Sequence, residues 1–204
     1  KISVIKNILG FIDGVRGSLK DDTLTGVGIG AAGTILYESG IISQSPNLPE
    51  LDGINLKEEL ATKVPYPVFI DNDANTFAVG EGWLGSGKGC KNYCCLTLGT
   101  GVGGGIVLDG KILRGSDGTA GEVGHIVVEP KGLPCGCGSR GCLEVYASAT
   151  GLVRSAKKGF EKPLARDLRK SCNNNTENIS PEIIAKLARG GDIFCKNLFK
   201  KVVV

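Results

Sequence analysis

The residues best equipped for chemistry lie between Asp117 and Glu144. They read Asp-Gly-Thr-Ala-Gly-Glu-Val-Gly-His-Ile and, further on, Pro-Cys-Gly-Cys-Gly-Ser-Arg-Gly-Cys-Leu-Glu. This stretch holds the single histidine, His125, and three of the eight cysteines, Cys135, Cys137 and Cys142. One imidazole and three thiolates are the ligand set of a closed tetrahedral zinc site. Gly136, Gly138 and Gly141 would let the loop wrap tightly, and a Cys-x-Cys pair is poorly suited to bonding with itself. Four protein ligands leave no position for an activated water, so such a metal is structural; a disulfide within the loop is the alternative. Glu122 and Glu144 flank and interleave the ligands, so whatever fixes the loop also fixes two carboxylates.

A second polar cluster sits elsewhere. The strand Val68-Phe-Ile70 ends in Asp71-Asn72-Asp73, and a helix is expected from Ala74 to Glu81. Polar groups between a strand's C-terminal end and a helix N-terminus occupy the place where open α/β sheets put their chemistry. Asp73 has two readings, a helix-capping aspartate or a general base toward a sugar or alcohol hydroxyl. Asp71, Asn72, Asp73 and Asn75 together are more than one cap requires.

Gly99 to Gly105 matches Gly-x-Gly-x-x-Gly at Gly99, Gly101 and Gly104, yet β-branched residues and the Asp109-Gly110 turn follow it rather than a helix. A dinucleotide fingerprint must open a helix, so that reading is rejected. The loop, with Thr100, can still offer backbone N–H groups to phosphate oxygens. Gly82 to Lys88 is a near miss for a Walker A loop, with Gly89 where Ser or Thr should bind magnesium, and it is read as a flexible connector.

The elements that must position these groups follow from periodicity. Val4, Ile5, Ile8, Leu9 and Ile12 share one helical face, closed by Asp13-Gly14 and Gly17. A buried strand from Val27 runs into a glycine turn at Gly33, and Thr34 to Ser45 reads as a hairpin turning at Glu38-Ser-Gly40. Asn55 and Glu58 form a capping-box-like start for a helix from Leu56 to Lys63. The glycine-rich stretch from Gly80 to Gly89 is expected to be a flexible connection dividing an N-terminal lobe, 1–85, from a C-terminal lobe, 86–204. Strands are expected over 93–98, 106–108 and 111–113. Helices are expected around Ala149, Leu152, Val153 and Ala156, after Ser180-Pro181, and from Asp192 through the Lys-Lys-Val-Val-Val end.

Composition narrows the class. A net charge of +3 over 204 residues, with no long Lys/Arg run, gives no electrostatic footprint for nucleic acid or a membrane surface. With no signal peptide ahead of them, the eight cysteines point to a reducing cytosol rather than a secreted scaffold. Cys90, Cys94, Cys95, Cys172 and Cys195 read as small buried or half-exposed thiols.

On these residues the chain resembles the ROK family of sugar kinases and sugar-responsive repressors, most closely its glucokinase-like members. Leu98-Gly-Thr-Gly-Val-Gly-Gly-Gly through Ala120-Gly-Glu-Val-Gly-His125 is similar to the family signature and Cys135 through Glu144 to its zinc motif, and Ile70-Asp-Asn-Asp-Ala-Asn75 makes the match more specific. The resemblance implies an α/β, actin-like and ribonuclease-H-like ATPase fold, two lobes around a cleft, with a structural zinc loop. It implies a cytoplasmic, homodimeric hexokinase that uses ATP and Mg2+, with hexose and ATP as partners. Asp73 would take the proton from the sugar 6-hydroxyl, with Asn72 beside it. Glu122, His125 and Glu144 would hold ring hydroxyls, Asn47 and Gly33 would complete the pocket, and Gly99, Thr100, Gly101, Gly103 and Gly104 would hold phosphates. Zinc would bind His125, Cys135, Cys137 and Cys142. Family kinases begin with an Asp-x-Gly-Gly-Thr loop and end past a Gly-Gly adenosine segment, neither of which is found here, so an incomplete chain is expected. The alternative function is a repressor of the same family whose DNA-binding module is not in this sequence.

Overall fold

A computed structural model describes residues 2–19 and 23–200. The expected continuation of the last helix through Val204 lies outside the described residues. Contacts divide the chain into two units, one formed by 1–95 with 104–121, the other by 96–103 with 122–204. The boundary expected at residue 85 lies inside the first of these.

The first unit opens with α1 (Ile2–Ser18), which buries Ile5 and Ile12. The helix continues past Gly14 and Gly17, where it was expected to close, because neither glycine takes a left-handed φ. β1 (Val27–Ala31) pairs in parallel with β5 (Val68–Asn72), Ile29 opposite Ile70 and Ala31 opposite Asn72. Parallel partners need a long crossover, and here it contains β2 (Thr34–Leu36), β3 (Ile41–Gln44), β4 (Ile54–Asn55) and α2 (Leu56–Ala61). β2, β3 and β4 form a separate antiparallel sheet. The core of this unit joins Ile5, Ile35, Ile42, Leu56, Leu60 and Ile70. Asn55 caps α2 as expected, accepting from the Glu58 N–H at 3.1 Å while its amide donates to the Glu58 carboxylate at 3.1 Å.

α3 (Asp73–Leu84) follows β5 without a linker. It runs to Leu84, so the flexible connection expected from Gly80 is wrong over its first half. Tyr93 explains this: its hydroxyl donates to the Ala78 carbonyl at 2.9 Å, and a Cβ at Gly82 would stand 2.0 Å from that hydroxyl oxygen. Gly82 is there so that the aromatic ring can lie against the helix.

β6 (Tyr93–Leu98), β7 (Val102–Leu108) and β8 (Lys111–Ile112) form the third sheet, β7 pairing antiparallel with β8. β7 begins at Val102, so Gly103, Gly104 and Gly105 belong to the strand and the expected glycine loop shrinks to Gly99–Gly101. Close helix packing is the reason at Gly105, where a Cβ would stand 2.5 Å from Ala78 Cβ and 2.7 Å from the Ala74 carbonyl oxygen. Gly30 on β1 is tight in the same way, a Cβ there falling 2.5 Å from Thr76 Oγ1. α3 therefore rests on glycine from two strands.

The second unit carries α4 (Glu144–Ala147), α5 (Ala149–Lys158), α6 (Arg166–Ser171), α7 (Pro181–Arg189) and α8 (Ile193–Lys200). Its core gathers Leu152, Ala156, Phe160, Leu168, Ile184 and Leu198. Ser180 caps α7 as expected, accepting from the Ile183 N–H at 3.3 Å, and Asp192 caps α8, accepting from the Cys195 N–H at 2.6 Å. Cys172 and Cys195 are buried, and burial pushes the Cys195 thiol up to about 12, so it is no candidate nucleophile. No described helix is long and apolar enough to cross a membrane.

Candidate functional site

In the first unit the polar cluster at the end of β5 resolves into distinct jobs. Asp71 is 7% exposed and accepts two hydrogen bonds from Arg114, from Nε at 2.9 Å and Nη2 at 2.7 Å. Its other oxygen accepts from the Asn72 N–H at 2.8 Å and the Asn75 amide at 3.1 Å. A buried carboxylate needs that degree of satisfaction, and the Arg114 guanidinium stacks on Tyr37 at 3.6 Å. Arg114 is the residue sequence reasoning missed, since nothing in a single sequence links positions 43 apart.

Asn72 caps α3. Its Oδ1 accepts from the N–H groups of Ala74 at 2.9 Å and Asn75 at 3.1 Å, and its amide donates to the Gly33 carbonyl at 3.0 Å. The capping reading of Asp73 therefore fails. Asp73 is the first helical residue, exposed, and among the described residues of its unit its carboxylate accepts only from the Ala74 N–H at 2.9 Å. Gly33 has φ +119°, and a Cβ there would fall 2.0 Å from the Gln44 carbonyl oxygen. Only glycine fits where that turn meets the cap. Asn47 lies in an exposed bend after Ser45, whose N–H donates to Asp52 at 2.7 Å.

In the second unit the four expected ligands do converge. Their donor atoms, one each from His125, Cys135, Cys137 and Cys142, all lie within 4.8 Å of one another. Cys135 Sγ is 3.6 Å from His125 Nδ1, and Cys137 Sγ is 3.7 Å from Cys142 Sγ. A tetrahedral zinc with bonds of about 2.3 Å to sulfur and about 2.0 Å to nitrogen requires edges of about 3.8 and 3.6 Å. Those two edges have these lengths, and the remaining ones lie within 4.8 Å. All eight cysteines are free, so no disulfide competes for these sulfurs. Burial pushes the Cys142 thiol up to about 11, while a backbone hydrogen bond at Ser139 holds Cys137 below its ordinary value. Three sulfurs and an imidazole nitrogen this close together are a donor set that suits a divalent metal.

The loop's shape comes from its backbone. The Cys135 N–H donates to the Ser139 carbonyl at 2.9 Å and the Gly141 N–H to the Leu133 carbonyl at 2.7 Å. Gly138 and Gly141 take φ of +89° and +72°, whereas Gly136, also expected to matter, has neither a positive φ nor a close neighbour. At Gly141 a Cβ would stand 1.6 Å from the Glu129 carbonyl oxygen. Gly141→Ala is therefore expected to cost roughly 2–4 kcal/mol and to abolish stoichiometric metal, read by thermal melting and metal analysis.

The carboxylates beside this loop are held differently. Glu122 is half-buried at the start of a short 3-10 turn, Val123–His125, with its Oε2 3.8 Å from His125 Nε2. His125 thus faces the sulfurs through Nδ1 and keeps Nε2 on the Glu122 side. Glu144 opens α4, and its Oε2 accepts from the Val102 N–H at 3.0 Å, leaving Oε1 for another partner. Gly99, Thr100 and Gly101 form an exposed or half-buried turn, while Gly103 and Gly104 lie in β7.

A parallel strand pair that ends in a carboxylate at a helix start, a glycine turn and a His/Cys loop are the marks of this α/β protein. The chain belongs to the ROK family, whose model matches residues 3–204. It is 44% identical over 177 residues to a glucokinase of Thermotoga maritima, covering 87% of this chain and 56% of the relative. A xylose repressor of Caldicellulosiruptor bescii is 36% identical over 173 residues, 85% of this chain and 43% of the repressor. Among solved structures, a ROK family glucokinase of Streptomyces griseus in complex with glucose and AMPPNP superposes with a TM-score of 0.84 at 37% identity, covering 98% of this chain and 64% of that one. The chain spans about half the length of the curated relatives it matches.

Proposed function

We propose that this chain carries the sugar- and phosphate-handling residues of an ATP-dependent hexose kinase, with glucose as the preferred acceptor. The observation that carries the proposal is the freedom of Asp73: the cap is supplied by Asn72, so the carboxylate at the start of α3 is left accessible and fixed in place. A sugar hydroxyl is a poor nucleophile until a base removes its proton. Asp73 takes the proton of the 6-hydroxyl as that oxygen attacks the γ-phosphorus; the bond from phosphorus to the β-phosphate oxygen breaks and ADP leaves, Mg2+ being the ion that would offset its charge. The N–H groups of Thr100 and Gly101 accommodate phosphate oxygens.

Hydroxyl recognition falls to Glu122, to His125 through Nε2, and to Glu144 through Oε1. The four-residue cluster holds one zinc ion, which locks the loop so that these carboxylates lose little entropy when sugar binds. Asn47 and the second amide hydrogen of Asn72 are further donors for the sugar, and Gly33 supports Asn72. Glucose is favoured because the T. maritima relative is named a glucokinase and the S. griseus structure holds glucose and AMPPNP.

The match to a xylose repressor supports a second reading, in which the same residues bind an inducer sugar. An inducer pocket has no need of a free base, so Asp73 favours the kinase. Glucose-dependent ADP release by the full-length protein tests the choice: steady turnover is expected, whereas sugar binding without turnover, together with sugar-sensitive DNA binding, would establish the repressor.

A further inference from the structure

Three main-chain groups of the glycine turn are held by one short stretch, Glu144 to Thr150. The Gly99 carbonyl accepts from the Ala149 N–H at 2.9 Å. The Thr100 carbonyl accepts from the Thr150 hydroxyl at 2.8 Å, and the Val102 N–H donates to Glu144 Oε2 at 3.0 Å. Inside the turn the Gly99 N–H donates to the Gly101 carbonyl at 3.0 Å. Of the turn's N–H groups, those of Thr100 and Gly101, on consecutive exposed or half-buried residues, have no acceptor among the described residues of this unit.

A peptide unit is planar and trans, so its carbonyl and its N–H point in opposite directions. The Thr100 carbonyl and the Gly101 N–H belong to one such plane. Fixing the carbonyl therefore aims the N–H. The plane needs fixing, because a glycine on its C-terminal side lets the peptide rotate at little steric cost. A rotated plane would present a carbonyl oxygen where a donor is wanted, and a phosphate would be repelled instead of bound. Gly101 also has no room for a side chain, a Cβ there falling 2.3 Å from Glu144 Oε2, so a bulkier residue cannot supply the missing stiffness.

We propose that Thr150 is a positioning residue for the phosphate donor: its hydroxyl fixes the Thr100–Gly101 peptide plane and thereby directs the Gly101 N–H at a phosphate oxygen. This rests on reading the turn as the phosphate loop. Thr150 is exposed at the start of α5, beside Ser148, whose hydroxyl caps that helix by accepting from the Gly151 N–H at 3.0 Å. Helix capping thus does not require Thr150.

The test is Thr150→Val, which keeps the shape and removes the donor, beside Thr150→Ser, which restores it, both in the full-length protein. Titration with Mg2+ and AMPPNP should show Thr150→Val binding the nucleotide roughly three- to tenfold more weakly, the range one net hydrogen bond supports. The KM for ATP should rise alongside, while glucose affinity, zinc content and Tm stay at parental values. Thr150→Ser should return to near-parental nucleotide affinity. Parental nucleotide affinity in Thr150→Val overturns the assignment, as does an equal loss of nucleotide and glucose affinity with a lowered Tm. A parent protein that binds glucose but no nucleotide overturns the phosphate-loop reading itself, and the proposal with it.

Discussion

Asp73→Asn is expected to lower kcat for glucose phosphorylation by roughly 10²- to 10⁴-fold, the usual contribution of a positioned general base. The substitution preserves size and the bond from the Ala74 N–H, so what it removes is basicity. Folding should be nearly untouched, because Asn72 caps α3 and Asp73 contributes only a favourable charge near a helix N-terminus. That contribution is worth up to about 1 kcal/mol, a Tm change of roughly 2–4 °C. Glucose affinity is expected to stay within about threefold of the parent, since one acceptor is exchanged for another. Kinetics by coupled ADP release and binding by calorimetry separate the two quantities. If Asp73→Asn turned over glucose at the parental rate, the base assignment would be wrong.

Loss of the metal should have a broader effect. Metal analysis is expected to find one zinc per chain, and Cys142→Ser to remove it. Cys142 is fully buried in a small core with Cys135 and Val145. Loss of the ion would release the loop, an effect of about 4 kcal/mol, as expected for a lost metal, and hence a fall in Tm of roughly 10 °C. Glucose binding should disappear with it, since His125 belongs to the proposed ligand set and Glu144 follows Cys142 by two residues. Nucleotide affinity should also decline, because Glu144 holds the Val102 N–H at the end of the glycine turn. Intact thiols with no bound metal in the parent, or a Cys142→Ser protein with parental Tm and glucose affinity, would remove zinc from the account.

The His125, Cys135, Cys137 and Cys142 cluster was legible in the sequence because its members lie close together in the chain. Caps at Asn55 and Ser180 were equally plain, since a side chain that bonds three residues ahead needs no tertiary information. Glycine was harder to read. The same residue type supplies positive φ at Gly141, an aromatic seat at Gly82 and a helix seat at Gly105, and only coordinates tell these apart. Reading the glycines after Gly80 as flexibility placed the connector over the second half of α3, and reading Gly103 to Gly105 as loop lengthened the glycine turn into β7. Asp71 and Asp73 were likewise indistinguishable in the sequence. Arg114 separates them by neutralising one, and its partner lies across the fold. The Thr150–Thr100 bond, joining residues 50 apart, was invisible for the same reason.

The glycine seat of α3 bears on how such a protein can diversify. A helix resting on Gly30 and Gly105 is located by main chain, with almost no side-chain padding to exchange. Substitutions that shift padding, the commonest kind in a drifting core, have little to act on there. The residues assigned to ring hydroxyls sit on another stretch of sequence, around a loop whose exposed positions can vary while its ligands stay. The exposed positions of the His/Cys loop can therefore change over generations while the start of α3 keeps its place.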